Sequence, residues 1–272
     1  MIVDTHVHVV APDETRYPLN PPGIGTDWFR DAPVSVEDYR GLMDGVGVDR
    51  ATLVQAFTAY GYDNRYVVDA TDVDPTRFAS MCIVDPHDDP GPTLRRLVTQ
   101  HQASGARLFA IGNDTLDGRS SDAVMDAAGE LDVRVIVALL PPQLPQLRRL
   151  LERFPDVPVA LDHCGFPDLT GGPPFAAAGP LLELAGHVNL HLKVTSNLLE
   201  RTADPRALVD RLTAIFGAER LLWGSDFPQT HDRSYRALVE LGRDACSGLS
   251  EPDQARVLGL NALRLWPSLA GA

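Results

Sequence analysis

Cysteine is scarce in this chain: three among 272 residues, Cys82, Cys164 and Cys246, with no C-x-x-C spacing. An odd number of thiols so far apart excludes a disulfide framework and a thiolate zinc cage, and a reducing, cytoplasmic setting is expected. Basic residues are also short, 24 against 37 acidic ones, for a formal charge of −13. With no basic stripe to neutralise phosphates, nucleic acid is excluded as a main partner. No apolar run approaches the ~18 residues of a membrane span. The first apolar stretch is interrupted by Asp4, His6 and His8, so it does not read as a basic-then-apolar leader. Internal repeats, charge runs and low-complexity tracts are missing too. What remains is a chain whose partner is a small molecule, acting as a monomer or a homo-oligomer.

The residues present describe a large core, with 44% apolar content. Short β-branched runs recur at Ile2–Val9, Arg50–Phe57, Phe78–Val84, Ala106–Ile111, Val133–Leu139, Val157–Asp162, Val188–Thr195 and Leu221–Ser225. Most are continuously apolar, as strands buried on both faces are, and their spacing is close to a βαβ unit of about 30 residues. Amphipathic helices fill the gaps over Val36–Val46, Thr93–Ser104, Leu144–Phe154, Arg206–Phe216, Tyr235–Cys246 and Glu251–Leu265. Ser35, Asp204 and Ser250 stand where N-caps belong, and Gly47, Gly105 and Gly217 where helices stop. Strands alternating with helices predict one α/β domain over 1–272, a (β/α)₈ TIM barrel. The competing doubly wound sheet needs a glycine-rich turn after its first strand, and there is none. Residues 11–33 form a long irregular loop carrying Tyr17, Trp28 and Phe29, placed after strand one on the face where barrels carry their chemistry. Either a lid or a surface loop packing its own aromatics fits that composition.

Three signals sit at the carboxyl ends of expected strands. His6 and His8 in Asp4-Thr5-His6-Val7-His8 are two apart, so both point to the barrel axis. Two imidazoles in one cavity can ligate a metal or hold a substrate oxygen and move protons. His163 ends strand six in Leu161-Asp162-His163-Cys164-Gly165, and Asp226 ends strand eight in Trp223-Gly224-Ser225-Asp226-Phe227-Pro228. Barrel closure sets strand eight beside strand one, so Asp226 faces the two histidines. Around them Gln55, Tyr60, Asn113, Gln229, His231 and Tyr235 follow strand ends and are candidate substrate contacts, with Trp28 from the loop. Lys193 on strand seven is either a substrate-holding cation or an interior lysine paired with an acid. Ser225 lacks a nucleophile-elbow context, and Cys164 alternates away from the cavity, which makes it a buried inert thiol.

Together, Asp4-Thr5-His6-Val7-His8, Val54–Tyr66, Ile83-Val84-Asp85-Pro86, the Asp162–Asp168 segment, Trp223–Pro228 and Asn261–Leu265 resemble the amidohydrolase superfamily, in its amidohydrolase-related lactonase and decarboxylase branch. The resemblance spans nearly the whole chain. It is nearest to lactonases acting on pyrone-dicarboxylate, sulfomuconolactone and sugar-acid lactones. It implies a (β/α)₈ barrel with water attacking at the top face, and functional positions at His6, His8, His163 and Asp226. Three departures bear on mechanism. Strand five, Val135–Pro142, lacks the histidine common in metal-dependent relatives, and strand four, Arg107–Asp114, lacks a lysine that could be carboxylated. Where pyrone-dicarboxylate enzymes place carboxylate-gripping arginines, this chain has Ala110 and Phe166.

The expected chemistry is opening of a lactone or related ester of a small organic molecule. Asp226 is the general base, its pKa raised by desolvation, and His6, His8 and His163 polarise the carbonyl, stabilise the oxyanion and protonate the leaving alkoxide. The site works either without a metal or with one divalent ion, zinc foremost, on His6, His8, Asp226 and His163. The weak arginine complement predicts a substrate with at most one carboxylate, held by Lys193 or Arg30; a dicarboxylate would require Arg16, Arg65 or Arg107 to reach the pocket. A non-oxidative decarboxylase on the same barrel, or a lapsed barrel that only binds a small molecule, are the alternatives.

Overall fold

The computed structural model describes every residue except 113–115, 117, 230–231 and 271–272. Eight parallel strands lie in sequence order: β1 Val3–Val7, β2 Arg50–Val54, β3 Phe78–Ile83, β4 Gly105–Phe109, β5 Arg134–Ala138, β6 Val159–Leu161, β7 Leu190–Thr195 and β8 Leu221–Gly224. The ring is closed just beyond the last ladder residues, where Val7 bridges Phe227 in parallel. Helices intervene as a (β/α)₈ barrel requires. Between β6 and β7 the helix is reduced to the short turns Ala176–Ala178, Gly179–Leu182 and Glu183–Gly186.

Local signals account for several helix ends. Ser35 accepts the Asp38 amide at the head of helix Val36–Val46, and Gly47 ends it at φ 70°. Asp204 and Ser250 cap helices Pro205–Phe216 and Glu251–Ala255 in the same way. The helix expected at Thr93–Ser104 instead occupies Pro90–His101, one turn earlier, because Pro90 takes the first helical position where its missing N–H costs nothing. The stretch Glu251–Leu265 is helical throughout but widens to a π-helix at Arg256–Leu260, where Gly259 lies against the backbone of Met1 and Val3. Seven of the eight expected strands overrun at their carboxyl ends by one to three residues, β7 ending at Thr195 as read. Residues such as Ser225 leave the ladder there and take side-chain partners instead.

The barrel interior is layered. At the bottom Val3, Ala79, Met81, Ile136, Ala160 and Leu222 pack on Leu265, Trp266 and Leu269, which stopper the amino-terminal end. Above them come the buried polar residues Arg107, Asp162 and Lys193, then the histidines. The register of β1 is irregular between Asp4 and Val7. This shift lets Val3 and His6 both point inward, while Asp4 turns to the helical layer despite being two residues from His6. There Asp4 Oδ1 accepts from the amides of His6 (3.1 Å) and Ser225 (2.8 Å), and Oδ2 accepts from Ser225 Oγ (2.6 Å), Tyr39 (3.0 Å) and Tyr235 (3.1 Å). A single carboxylate thus adds side-chain bonds at the seam to the few backbone bonds there.

Gly224 lets β8 approach β1 at this seam, since a Cβ there would lie 2.8 Å from His6 Cβ and 2.9 Å from the His6 amide nitrogen. Gly224→Ala is therefore expected to destabilise the fold by about 1–3 kcal/mol through overpacking, read as a lower urea midpoint. An unchanged midpoint would mean that the strands part without cost.

Candidate active site

The site is built at the seam. Asp226 donates its amide to the His6 carbonyl (2.8 Å), and His8 donates its amide to the Phe227 carbonyl (2.9 Å), so the two strands that carry the side chains are bonded directly. Asp226 holds a left-handed backbone at φ 61°, and His163 does so at φ 52° in the tight turn Asp162–Gly165. Such conformations cost about 1–3 kcal/mol each in a residue with a Cβ and persist where surrounding contacts over-determine them.

His6, His8, His163 and Asp226 come together, all buried. The His6 ring centroid lies 5.0 Å from that of His8 and 4.8 Å from that of His163. His6 Nε2 and His8 Nε2 are 3.3 Å apart, and Asp226 Oδ1 is 3.5 Å from each. His8 Nδ1 lies 2.8 Å from the Val54 carbonyl, which only accepts, so the Nδ1 carries the proton and a neutral His8 turns its Nε2 lone pair to this gap. Asp226 Oδ2 accepts from Asn197 Nδ2 at 2.8 Å, whereas its buried Oδ1 has no hydrogen-bond partner among the described residues.

Behind His6 lies a second charged tier. Asp162 Oδ2 takes Arg107 Nε and Nη2, both at 2.8 Å, and Asp162 Oδ1 lies 3.1 Å from Lys193 Nζ and 3.0 Å from His6 Nδ1. Lys193 Nζ is also 3.1 Å from His6 Nδ1. Burial pushes the Asp162 carboxyl up, but Lys193, His6 and Arg107 outweigh it and hold the group well below the carboxylate range. Burial likewise lowers Lys193, against the pull of Asp162, and lowers His6 and His163 as well. For Asp226 burial again pushes upward, yet His163 first and then His8 and His6 bring it below its ordinary value. The expectation that desolvation raises Asp226 is thus corrected: three facing imidazoles overcome the burial, and the carboxylate stays ionised.

The donor set fits a divalent ion. Tetrahedral zinc with ligand bonds of ~2.0–2.1 Å separates its ligand atoms by ~3.3–3.4 Å, close to the triangle of His6, His8 and Asp226. His6, His163 and Asp226 form a second triad, with donor atoms within 4.8 Å of one another. The unpartnered Asp226 Oδ1 and the His8 lone pair facing it need a positive charge between them. Binding an ion requires His6 to carry its proton on Nδ1 toward Asp162, the usual outer-shell arrangement of a metal-ligating histidine.

Other sequence candidates go elsewhere. Lys193 is buried beneath His6, so it is the interior lysine paired with an acid and does not face a ligand. Gln55 donates to the carbonyls of Gly61 and Asp63, and Tyr60 accepts the Ala11 amide; both shape loops. Trp28 bonds Thr58 and stands 5.8 Å from the His8 ring, as a wall behind it. Tyr235 belongs to the Asp4 cluster, not the cavity. Gln229 lines the cavity, and Asn113 and His231 fall outside the described residues. Arg16 and Arg65 pair at the surface with Asp69 and Asp63, and Arg30 lies over Phe29. Cys164 is buried, and burial raises its thiol pKa. The sequence reading missed Asp162, Asn197 and Thr195, whose Oγ1 lies 2.7 Å from His163 Nδ1. Their signal was only position: Asp162 precedes a strand-end histidine, Thr195 ends β7, and Asn197 lies two residues beyond it.

A model of the amidohydrolase family matches residues 3–268. The chain is 28% identical over 246 residues to L-fucono-1,5-lactonase of Burkholderia ambifaria, covering 85% of this chain and 84% of that one. It is 27% identical over 242 residues to 4-sulfomuconolactone hydrolase of Rhizobium radiobacter, covering 84% and 75%. A solved Pseudomonas putida structure, described as a candidate 2-pyrone-4,6-dicarboxylic acid hydrolase, superposes with a TM-score of 0.80 at 25% identity, covering 98% and 97%.

Proposed function

Since the chain belongs to the amidohydrolase family, we propose that it is a hydrolase that opens a lactone or related cyclic ester of a small molecule by water attack at the carboxyl end of the barrel. The observation that carries this reading is one ionised carboxylate and three imidazoles around a single gap, beside a cavity bordered by His8 and His163.

Asp226 Oδ1 takes the proton from the attacking water, while Asn197 holds Oδ2 and fixes the carboxylate's aim. Thr195 Oγ1 accepts the Leu198 amide and turns its own proton to His163 Nδ1. The His163 Nε2–H then faces the cavity, where it polarises the lactone carbonyl and supports the oxyanion. The proton gathered on Asp226 is then returned to the leaving alkoxide as the ring opens. His6 is held from behind by Asp162 and Lys193, so its ring does not swing. His6, His8 and Asp226 would hold a divalent ion, zinc foremost, with His163 beside them, and it would supply Lewis acidity to water and carbonyl. Three buried free thiols accord with a reducing, cytoplasmic location, and no helix among the described residues is long and apolar enough to cross a membrane.

Two measurements test this. Acid release from a lactone panel, with carbon dioxide evolution from carboxylic acids run alongside, separates ring opening from decarboxylation; gas without acid release would overturn the reading. Elemental analysis is expected to find about one zinc per chain, with chelation lowering kcat by about 10² or more and zinc restoring it. Full activity in metal-free protein would remove the ion from the scheme and leave the side chains alone.

A further inference from the structure

The cavity beside His8 and His163, of about 170 Å³, is walled by Ile24, Phe57, Phe109, Ile111 and Phe166. Phe57 and Phe109 are paired with ring centroids 4.5 Å apart, and Phe166 stacks on His163, also at 4.5 Å. Phe109 and Phe166 are only half-buried, so they offer ring surface to whatever enters. Few polar groups join them. Thr58 Oγ1 accepts from Trp28, and with Gln229 and Arg107 it makes up the polar side chains beyond the histidines among the described residues. A polyhydroxylated lactone would lay its hydroxyls against phenyl and aliphatic carbon, where they exchange water for nothing.

Charge narrows the choice further. Arg107 is the only cation lining the cavity among the described residues, and Asp162 holds its Nε and Nη2. Its guanidinium lies 5.2 Å over Phe109, so it joins the apolar wall to the polar floor. Arg201 lies 5.6 Å over the Phe166 ring without lining the cavity. The net charge of −13 also opposes a polyanion. We propose, on the lactone-opening reading above, that the substrate is a cyclic ester with a flat apolar substituent and at most one carboxylate. The substituent packs among Phe57, Phe109 and Phe166, and Arg107 meets the single acid or carbonyl group.

The test compares kcat/KM, corrected for uncatalysed hydrolysis, for 3,4-dihydrocoumarin, an aldono-1,5-lactone and 2-pyrone-4,6-dicarboxylate. The aryl lactone is expected to lead each of the others by about tenfold or more, the discrimination a hydrophobic pocket gives. Phe109→Ala should remove most of that lead while changing the sugar lactone little. A preference for the sugar lactone or the dicarboxylate overturns the proposal and leaves lactone opening intact, the latter implying that Arg201 swings in. If no lactone turns over, the lactone reading fails and binding decides the substrate class. Calorimetry with 3,4-dihydroquinolin-2-one, the lactam isostere, should show at least tenfold tighter binding than a sugar lactam, weakened by Phe109→Ala. Equal or reversed affinities overturn the proposal.

Discussion

Replacing Asp226 by asparagine is expected to lower kcat by a factor of about 10²–10⁴ while the urea midpoint stays close to that of the wild type. The amide keeps the shape, and its oxygen can still accept from Asn197, as Oδ2 does at 2.8 Å. Its nitrogen would replace Oδ1, 3.5 Å from both His6 Nε2 and His8 Nε2, and donate to a ring lone pair. Folding therefore loses little, but the carboxylate base is gone from the gap. Steady-state kinetics with the zinc content of both proteins is the measurement. A variant that keeps most of its kcat would show that the water is activated by some other group.

Truncating Asp162 is expected to act on stability instead. Asp162→Ala strands the buried Arg107 and Lys193 cations, and breaking such a buried pair from one side costs about 3–5 kcal/mol. Asp162→Asn should cost less, since the amide oxygen still accepts from Arg107. The pH dependence has a definite sign. A carboxylate held below its ordinary value of 3.8 contributes in full above that value and loses its contribution as pH falls through the folded-state value. The gap between wild type and Asp162→Ala in urea unfolding should therefore be constant near neutrality and narrow only in strong acid. A gap that closes near pH 6 would assign the effect to histidine titration.

Much of this was legible in the residues. Continuous β-branched runs at the βα period gave the barrel, because a parallel sheet buried on both faces writes its strands as apolar blocks. His6, His8 and Asp226 were legible because closure puts the first and last strands side by side. Asp162 was not, because its role depends on Arg107 and Lys193 arriving from strands far away in sequence. Lys193 read equally as a ligand-holding cation until its position beneath His6 was known. The opposite orientations of Asp4 and His6 were hidden as well, since the irregular register of β1 breaks the two-residue alternation.

The seam joins Asp4 to Ser225, 221 residues apart. During synthesis β1 is made long before β8, so its histidines wait through most of the chain's elongation for their carboxylate. A chain stopped after β7 holds His6, His8 and His163 without Asp226, and Asp4 lacks its Ser225 and Tyr235 partners. Assembly of the reactive centre is thus among the slowest and most non-local steps in acquiring the fold, since loop closure over such a separation precedes its reward.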